Sequence, residues 1–128
     1  MEKITGIGGL FFRANDPDGL ARWYETHFGI KQTPTDYDHP SWMQKAGPTV
    51  FAPFPKDTTY FGSMENRWMV NFRVRDLEAM MAQLRGAGIE VVADPKNPYP
   101  NGKFARLYDP EGNAIELWEP TGKDLRPS

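Results

Sequence analysis

The chain has 128 residues, of which 39% are hydrophobic and 25% are charged, a balance typical of one globular domain. Its 15 basic and 17 acidic side chains give a formal net charge of −2 without any basic run, which gives no support to binding of nucleic acid or of a membrane surface. The absence of cysteine excludes disulfides and thiolate chemistry, so we expect a cytoplasmic protein.

The first half of the chain predicts one helix among short strands. Residues 4–14 predict a strand. Glycines interrupt this apolar stretch, so it is not suitable as the core of a signal peptide. A helix follows, with Asp16 as its N-cap, Pro17 in its first turn and Gly29 at its end. This half therefore has the order strand, helix and three strands, and the last three strands are expected at residues 30–33, 41–45 and 49–54.

Residues 55–66 have neither a helical nor a strand period, so we expect them to form a connector. The order of elements then begins again, with a strand at 67–75, a helix that Asp76 opens and Gly88 ends, and a strand at 89–93 before a final hairpin. The chain is therefore an internal repeat of two βαβββ modules.

The repeat predicts an α+β fold in a single domain. Superposing Asp16 on Asp76 also aligns Phe12 with Phe72. Neither half would bury enough surface alone, so the modules should pack together or exchange with another chain. We expect module one over about residues 4–54, the connector over 55–66, module two over about 67–120, and a mobile tail over 121–128.

The last hairpin is the segment whose turn and register follow most directly from residue types. Residues 109–113 predict a tight turn, with Pro110 in a type I position and Gly112 in a left-handed one. If the loop is 110–112, Asp109 faces Asn113, and the numbers of any two residues that face each other across the hairpin sum to 222. Arg106 therefore lies opposite Glu116.

Alternation along these strands separates two faces of the hairpin. One face of the hairpin is apolar and should be covered by a helix; it consists of Ala105, Leu107, Ile115 and Leu117. The apolar side chains of earlier strands should face the helices in the same way, namely Leu10, Phe12, Val70, Phe72 and Val74. The other face is aromatic with one charge pair and consists of Phe104, Arg106, Glu116 and Trp118. We interpret this second face as the floor of a cavity; the alternative is a partly wet sheet face with a cross-strand ion pair.

The repeat and its motifs resemble the vicinal oxygen chelate superfamily over about residues 4–120. The resemblance is carried by the two modules, the aspartate that opens each helix, Trp23-Tyr24 before Phe28-Gly29, and residues 109–117. That superfamily includes glyoxalase I, extradiol dioxygenases, fosfomycin-resistance proteins and bleomycin-resistance proteins. The resemblance implies a curved mixed sheet around a cavity, with the helices on the outer face.

Metal-using members of the superfamily take ligands from the first and last strands of each module. The first-strand positions here are Gly9 and Met69, no residue in 50–54 is a ligand, and only Glu116 matches. One carboxylate does not hold a catalytic Zn²⁺, and Arg106 opposite it would repel a cation. The resemblance therefore implies no metal and no other cofactor in this chain, with a divalent ion at Glu116 as the alternative.

Aromatic rings combined with a few fixed charges suit a planar or amphipathic organic ligand. Strand parity selects the residues expected to face such a ligand inside the cavity. They are Phe11, Arg13, Met69, Asn71, Arg73, Phe104, Arg106 and Trp118.

Three functions are consistent with this site. The leading hypothesis is a metal-free small-molecule-binding protein; the likeness to bleomycin-resistance proteins implies a homodimer, with no nucleic-acid or membrane partner. The second is a glyoxalase-like lyase or isomerase in which Glu116 is catalytic, with a non-standard metal site or metal-free acid/base chemistry. The third is an interaction module whose cavity is filled. Whether the modules pair within one chain or across a dimer stays open.

Overall fold

A computed structural model of the chain describes residues 1–122, so most of the predicted tail lies outside the described residues. None of the helices in that part of the chain is long and apolar enough to cross a membrane. The elements in residues 1–122 are α1 (Pro17–Phe28), β1 (Val70–Arg73), α2 (Leu77–Gly86), β2 (Val92–Ala93), β3 (Gly102–Tyr108) and β4 (Ala114–Pro120).

Both predicted helices form, and both begin where the sequence indicated. Asp16 and Asp76 are the N-caps, and each side chain accepts a hydrogen bond of 3.0 Å from the backbone N–H three residues further on. Gly29 ends α1 in the left-handed region, with φ of 71°. Helix α2 ends at Gly86, two residues before the predicted Gly88.

The second module forms a four-stranded sheet in the order β1-β4-β3-β2. Strand β1 runs parallel to β4, and the other pairs are antiparallel. The predicted hairpin register is confirmed, because Arg106 faces Glu116 and Phe104 faces Trp118. The turn closes as expected, with Gly112 at φ of 82° and its N–H donating to the Asp109 carbonyl at 3.0 Å.

The core lies between the helices and the apolar face of this sheet. The predicted hairpin residues Ala105, Leu107, Ile115 and Leu117 are all buried there. Burying each Leu or Ile side chain contributes on the order of 1.5–3 kcal/mol, so this face anchors both helices. Their partners in the buried cluster are Leu20 and Tyr24 from α1, Leu77, Met81 and Leu84 from α2, and Val91.

The α+β class and the placement of both helices on one face of a mixed sheet are confirmed. Four of the predicted strands, however, do not form. The segments at 4–14, 30–33, 41–45 and 49–54 have no strand structure, and no described residue before Val70 lies in a strand. A strand needs a neighbour for its backbone hydrogen bonds, and the four strands of module two pair only with one another.

Other strand predictions were only partly right. The strands expected at 67–75 and 89–93 are shorter, at Val70–Arg73 and Val92–Ala93. Val70, Phe72 and Val74 pack against the core as predicted, whereas Leu10 and Phe12 are exposed. Phe12 still touches the folded part, because its ring packs edge-on against Trp68 with centroids 5.1 Å apart.

Candidate ligand-binding site

The face of the sheet opposite the helices carries two rows of side chains that cross β1, β4 and β3. Asn71, Glu116 and Arg106 are register neighbours and form a polar row. Arg73, Trp118 and Phe104 are neighbours in the same way and form an aromatic row with one cation. Six of the predicted site residues are therefore adjacent because the register brings them together.

The centre of the polar row is the Glu116 carboxylate. One of its oxygens, Oε1, accepts a hydrogen bond from Asn71 Nδ2 at 2.7 Å. The other, Oε2, accepts a short hydrogen bond from the Tyr60 hydroxyl. Tyr60 belongs to the connector, so a segment without regular structure supplies a principal contact of the site.

The ion pair predicted between Arg106 and Glu116 does not form. Within residues 1–122 the ion pairs join His39 to Asp36 and Lys103 to Glu119. Tyr60 occupies the position between the two predicted partners. The Arg106 guanidinium lies 4.1 Å from the centroid of the Tyr60 ring and donates a hydrogen bond to the Tyr60 carbonyl.

One buried donor of Arg106 has no partner. Its Nε–H is buried and finds no acceptor among the described residues. A buried donor without a partner costs about 1–3 kcal/mol, so an acceptor oxygen of a bound molecule would be favourable there.

Tyr60 is held as a neutral hydrogen-bond donor. Burial, followed by the hydrogen bond to Glu116, raises the pKa of its phenol. The ring is half-buried and stacks on Phe54, with centroids 6.3 Å apart, while Phe54 also contacts Phe61 at 5.1 Å. The sequence reasoning missed Tyr60; its only signal was this group of aromatic side chains in and beside a connector.

The aromatic row is largely covered by the chain itself. Phe104 and Trp118 have parallel rings with centroids 6.1 Å apart. Trp118 is only 3% exposed, and its indole N–H donates to the Asn101 carbonyl at 2.8 Å. A Cβ atom on Gly102 would lie 2.6 Å from Trp118 Nε1, so the turn 99–102 packs directly on the indole. Trp118 is therefore a buried neighbour that supports Phe104, and Phe104 is the half-buried member of the row.

The Arg73 side chain is already hydrogen-bonded to other parts of the chain. Its guanidinium donates to the carbonyls of Pro48 at 2.6 Å and Lys45 at 2.7 Å, and to Thr49 Oγ1 at 3.1 Å. These contacts hold residues 45–49 beside the sheet. The Arg73 side chain thus has a structural role that the sequence left undecided.

The remaining predicted residues are dispersed. Phe11 is 94% exposed and Arg13 is exposed, so neither lines an enclosed site in a single chain. Met69 is half-buried and directly precedes β1.

The residues around Glu116 do not fit a divalent cation. Among residues 1–122, no three side chains of the His, Asp and Glu types converge as ligands would. Both Glu116 oxygens accept hydrogen bonds, and the Arg106 cation lies on the other side of the Tyr60 ring. Such donors and a fixed positive charge suit an organic group, whereas a metal requires several electron-pair donors.

Two shallow clefts lie elsewhere in the described part of the chain, and neither contains Glu116. One lies between the start of α1 and the hairpin loop, where the Glu111 carboxylate accepts from the backbone N–H of Asn15 at 2.6 Å and of Asp16 at 3.0 Å. The other lies beside the start of α2, next to Arg73. The first is explained by helix docking, since Glu111 stabilises the N-terminal end of α1.

Comparison with known proteins gives one family and a common fold. The sequence profile of the glyoxalase-like domain matches residues 9–118. CFP32 of Mycobacterium bovis, named as a candidate glyoxylase, is 31% identical over 111 residues, with 81% of this chain and 40% of that protein covered. The chain thus spans about 40% of the length of the curated relatives it matches.

Two solved structures share the architecture. TnmS3, an antibiotic-binding protein from Streptomyces sp. CB03234, superposes with a TM-score of 0.62 at 24% identity, covering 94% of this chain and 100% of that one. A glyoxylase/bleomycin resistance protein/dioxygenase domain from Frankia sp. EAN1pec superposes with a TM-score of 0.57 at 17% identity, covering 93% and 100%. Both likenesses extend over nearly the whole chain, including the half that lacks strands.

Proposed function

The chain belongs to the glyoxalase-like domain family of the vicinal oxygen chelate superfamily, and we propose that it binds a small aromatic or amphipathic organic molecule without a metal ion. The observation that carries this proposal is the organic network at Glu116, where Asn71 and Tyr60 donate to the carboxylate and Arg106 stacks on the Tyr60 ring. TnmS3, which shares the fold, is an antibiotic-binding protein, and this likeness supports binding of a small organic molecule.

The ligand-facing surface in this proposal consists of the polar row with Phe104 beside it, and the buried Trp118 packs next to Phe104. A flat ring would gain from the Arg106 guanidinium and the Phe104 ring, and a polar substituent would meet Glu116 or the free Arg106 Nε–H. Small-molecule sites commonly combine an apolar lining with a few such fixed polar groups.

The experiment is metal analysis together with native mass spectrometry on protein purified without a chelator. We expect substoichiometric metal and a retained organic mass that is lost when Arg106→Ala and Phe104→Ala are combined. Arg22→Ala, on the exposed side of α1, is the control and should keep that mass. Stoichiometric Zn²⁺, Mn²⁺, Ni²⁺ or Fe²⁺ that disappears in Glu116→Ala would overturn the metal-free proposal.

An enzymatic function is the second candidate, favoured by one contact. The Tyr60 phenol is a neutral acid in direct hydrogen-bond contact with the Glu116 carboxylate, which is the arrangement of an acid/base pair. A glyoxalase-like isomerase would use Glu116 to move a proton next to a carbonyl. Turnover of a 2-oxoaldehyde–thiol adduct that Glu116→Gln abolishes would establish it, and absence of turnover in the wild-type chain would favour binding alone.

We also propose that the protein is a homodimer in which a second copy covers the first half of the chain. All but two of the exposed large hydrophobic side chains in the described residues lie before residue 65. Phe51, for example, is 86% exposed. Strand β1 is at an edge of the sheet, so one side of its backbone is free to pair. A second copy would supply partners for the segments that alternation predicted as strands.

Light scattering at micromolar concentration tests this state. We expect a dimer for the wild-type chain and a shift toward monomer in Phe51→Asp, because a charge in a buried interface is costly. Lys56→Asp, which also changes charge at an exposed position, is the control. A wild-type monomer would overturn the dimer and leave the ligand proposal unaffected.

A further inference from the structure

We infer that the Tyr60 side chain occupies the place that the aromatic ring of a ligand would take. The site therefore accepts a flat aromatic molecule with a hydroxyl group, and the Tyr60 side chain moves away when this molecule binds. This inference rests on the proposed binding function and specifies its ligand class.

Tyr60 has the contacts that a bound phenol would make. Its ring faces the Arg106 guanidinium at 4.1 Å, its hydroxyl donates to Glu116, and the ring lies nearly parallel to that of Phe54, with centroids 6.3 Å apart. The receiving groups, Arg106 and Glu116, are on adjacent sheet strands, whereas Tyr60 is in a connector. The site is thus rigid, and its present occupant belongs to the less regular segment.

The Glu116 carboxylate keeps a donor when the Tyr60 side chain is removed. Glu116 keeps its 2.7 Å hydrogen bond from Asn71, which holds the carboxylate in the plane of the polar row. Around Tyr60 the connector is held by short turns, with the Gly62 N–H donating to the Thr59 carbonyl at 3.2 Å. Gly62 has a φ of 82°, a conformation that suits a turn. A rotation of this turn would expose the phenol site and would also release the Arg106 guanidinium from the Tyr60 carbonyl, so that its donors could meet the ligand.

The charges around the ring select the ligand's functional group. A carboxylate or a basic amine would be attracted by one of Glu116 and Arg106 and repelled by the other, so a charged group gains little from the pair. A neutral aryl hydroxyl satisfies both, since its O–H donates to the carboxylate and its ring faces the guanidinium. The unused Arg106 Nε–H adds a place for an acceptor oxygen on the same molecule.

The experiment compares 2-naphthol with its methyl ether, 2-methoxynaphthalene, by calorimetric or fluorescence titration. The wild-type chain should bind 2-naphthol more tightly than the ether, which lacks the O–H donor. If Tyr60 fills the site in about nine molecules of ten, Tyr60→Ala should tighten 2-naphthol binding about tenfold, because the competing side chain is gone. The ether should gain by a similar factor, because Tyr60 competes with either compound, and it should remain the weaker ligand.

Three variants separate displacement from other effects. Tyr60→Phe keeps the ring on Arg106 but loses the hydrogen bond to Glu116, so its gain should lie between wild type and Tyr60→Ala. Tyr60→Ala combined with Glu116→Ala should lose the preference for the hydroxyl compound. Tyr37→Ala removes an exposed tyrosine and should change neither affinity.

Weaker 2-naphthol binding in Tyr60→Ala would overturn the inference, because Tyr60 would then be a wall of the site. Unchanged affinity of Tyr60→Ala for both compounds would overturn it as well, since Tyr60 would then not compete with the ligand. Failure of every variant to bind 2-naphthol would also refute it, and the retained-ligand measurement would still judge the proposed function separately.

Discussion

The Tyr60 hydroxyl donates a hydrogen bond to the Glu116 carboxylate, joining the connector to the middle of the sheet across 56 residues of sequence. This contact replaces the arginine–glutamate pair that the hairpin register alone would suggest. It places a neutral phenol between a carboxylate and a guanidinium, and it covers the part of the sheet that faces away from the helices.

Loss of this hydroxyl should destabilise the protein measurably. In Tyr60→Phe, Glu116 Oε2 loses its donor, and because the site is half-buried we expect a decrease of about 1–2 kcal/mol in the free energy of unfolding. Urea unfolding at neutral pH measures it. Tyr37→Phe, at a fully exposed position, is the control and should change the free energy of unfolding by less than about 0.5 kcal/mol. Equal losses in the two variants would contradict the special role of Tyr60.

Local rules were sufficient for the helices and the hairpin. Asp16 and Asp76 cap helices because their side chains bond to nearby N–H groups, and Gly112 allows the left-handed turn residue that fixes the register. These features depend on residues within a few positions of each other, so the sequence carries them directly.

The site itself depended on contacts that local patterns do not encode. Tyr60 meets Arg106 and Glu116 from a connector without a period, at separations of 46 and 56 residues. Trp118 was expected to line a cavity, but its burial depends on a distant turn at 99–102. The strands expected in the first half failed for a related reason, because alternation indicates a face but does not supply a hydrogen-bonding neighbour.

Stability should decline at high pH through two tyrosines. Burial, followed by the hydrogen bond to Asp109, raises the pKa of Tyr24; burial, followed by the hydrogen bond to Glu116, raises that of Tyr60. The folded state then holds these protons more tightly than the unfolded state, so the free energy of unfolding is retained below about pH 10 and falls as pH rises further.

Urea unfolding at a series of pH values on both sides of this point gives the slope. The double variant Tyr24→Phe/Tyr60→Phe should show a shallower decline, whereas Tyr37→Phe, at an exposed position, should keep the wild-type slope. A double variant with the wild-type slope would show that neither phenol titrates differently on folding.

Asp109 should be the polar residue on which docking of α1 depends most. It is buried, and it accepts from the Tyr24 hydroxyl at 2.7 Å, the backbone N–H groups of Glu111 and Asn113 at 2.8 and 3.0 Å, and Asn113 Nδ2 at 2.7 Å. Asp109→Ala leaves the buried Tyr24 hydroxyl and three partly buried donors unpaired, so we expect a loss of about 3 kcal/mol.

Hydrogen exchange distinguishes loss of docking from a general loss of stability, because protection should fall in α1 more than in β3 and β4. Asp36→Ala is the matched control: Asp36 also accepts from backbone N–H groups in a tight turn, but it is exposed, and its removal should leave α1 protected. Uniform loss of protection across both regions in Asp109→Ala would contradict the assignment.

Two glycines should respond in opposite ways to an added methyl group. Gly102 has a φ of 141°, and a Cβ there would lie 2.3 Å from the Glu119 carbonyl oxygen and 2.6 Å from Trp118 Nε1. Gly102→Ala should therefore cost about 2 kcal/mol or more and shift the fluorescence of Trp118 as the turn 99–102 moves away. Gly86, at the end of α2, has nothing within 4 Å of its Cβ position, so Gly86→Ala should be neutral or stabilise by up to about 1 kcal/mol. Thermal unfolding of the two variants gives the comparison, and a tolerated alanine at 102 would mean that the turn does not pack on Trp118.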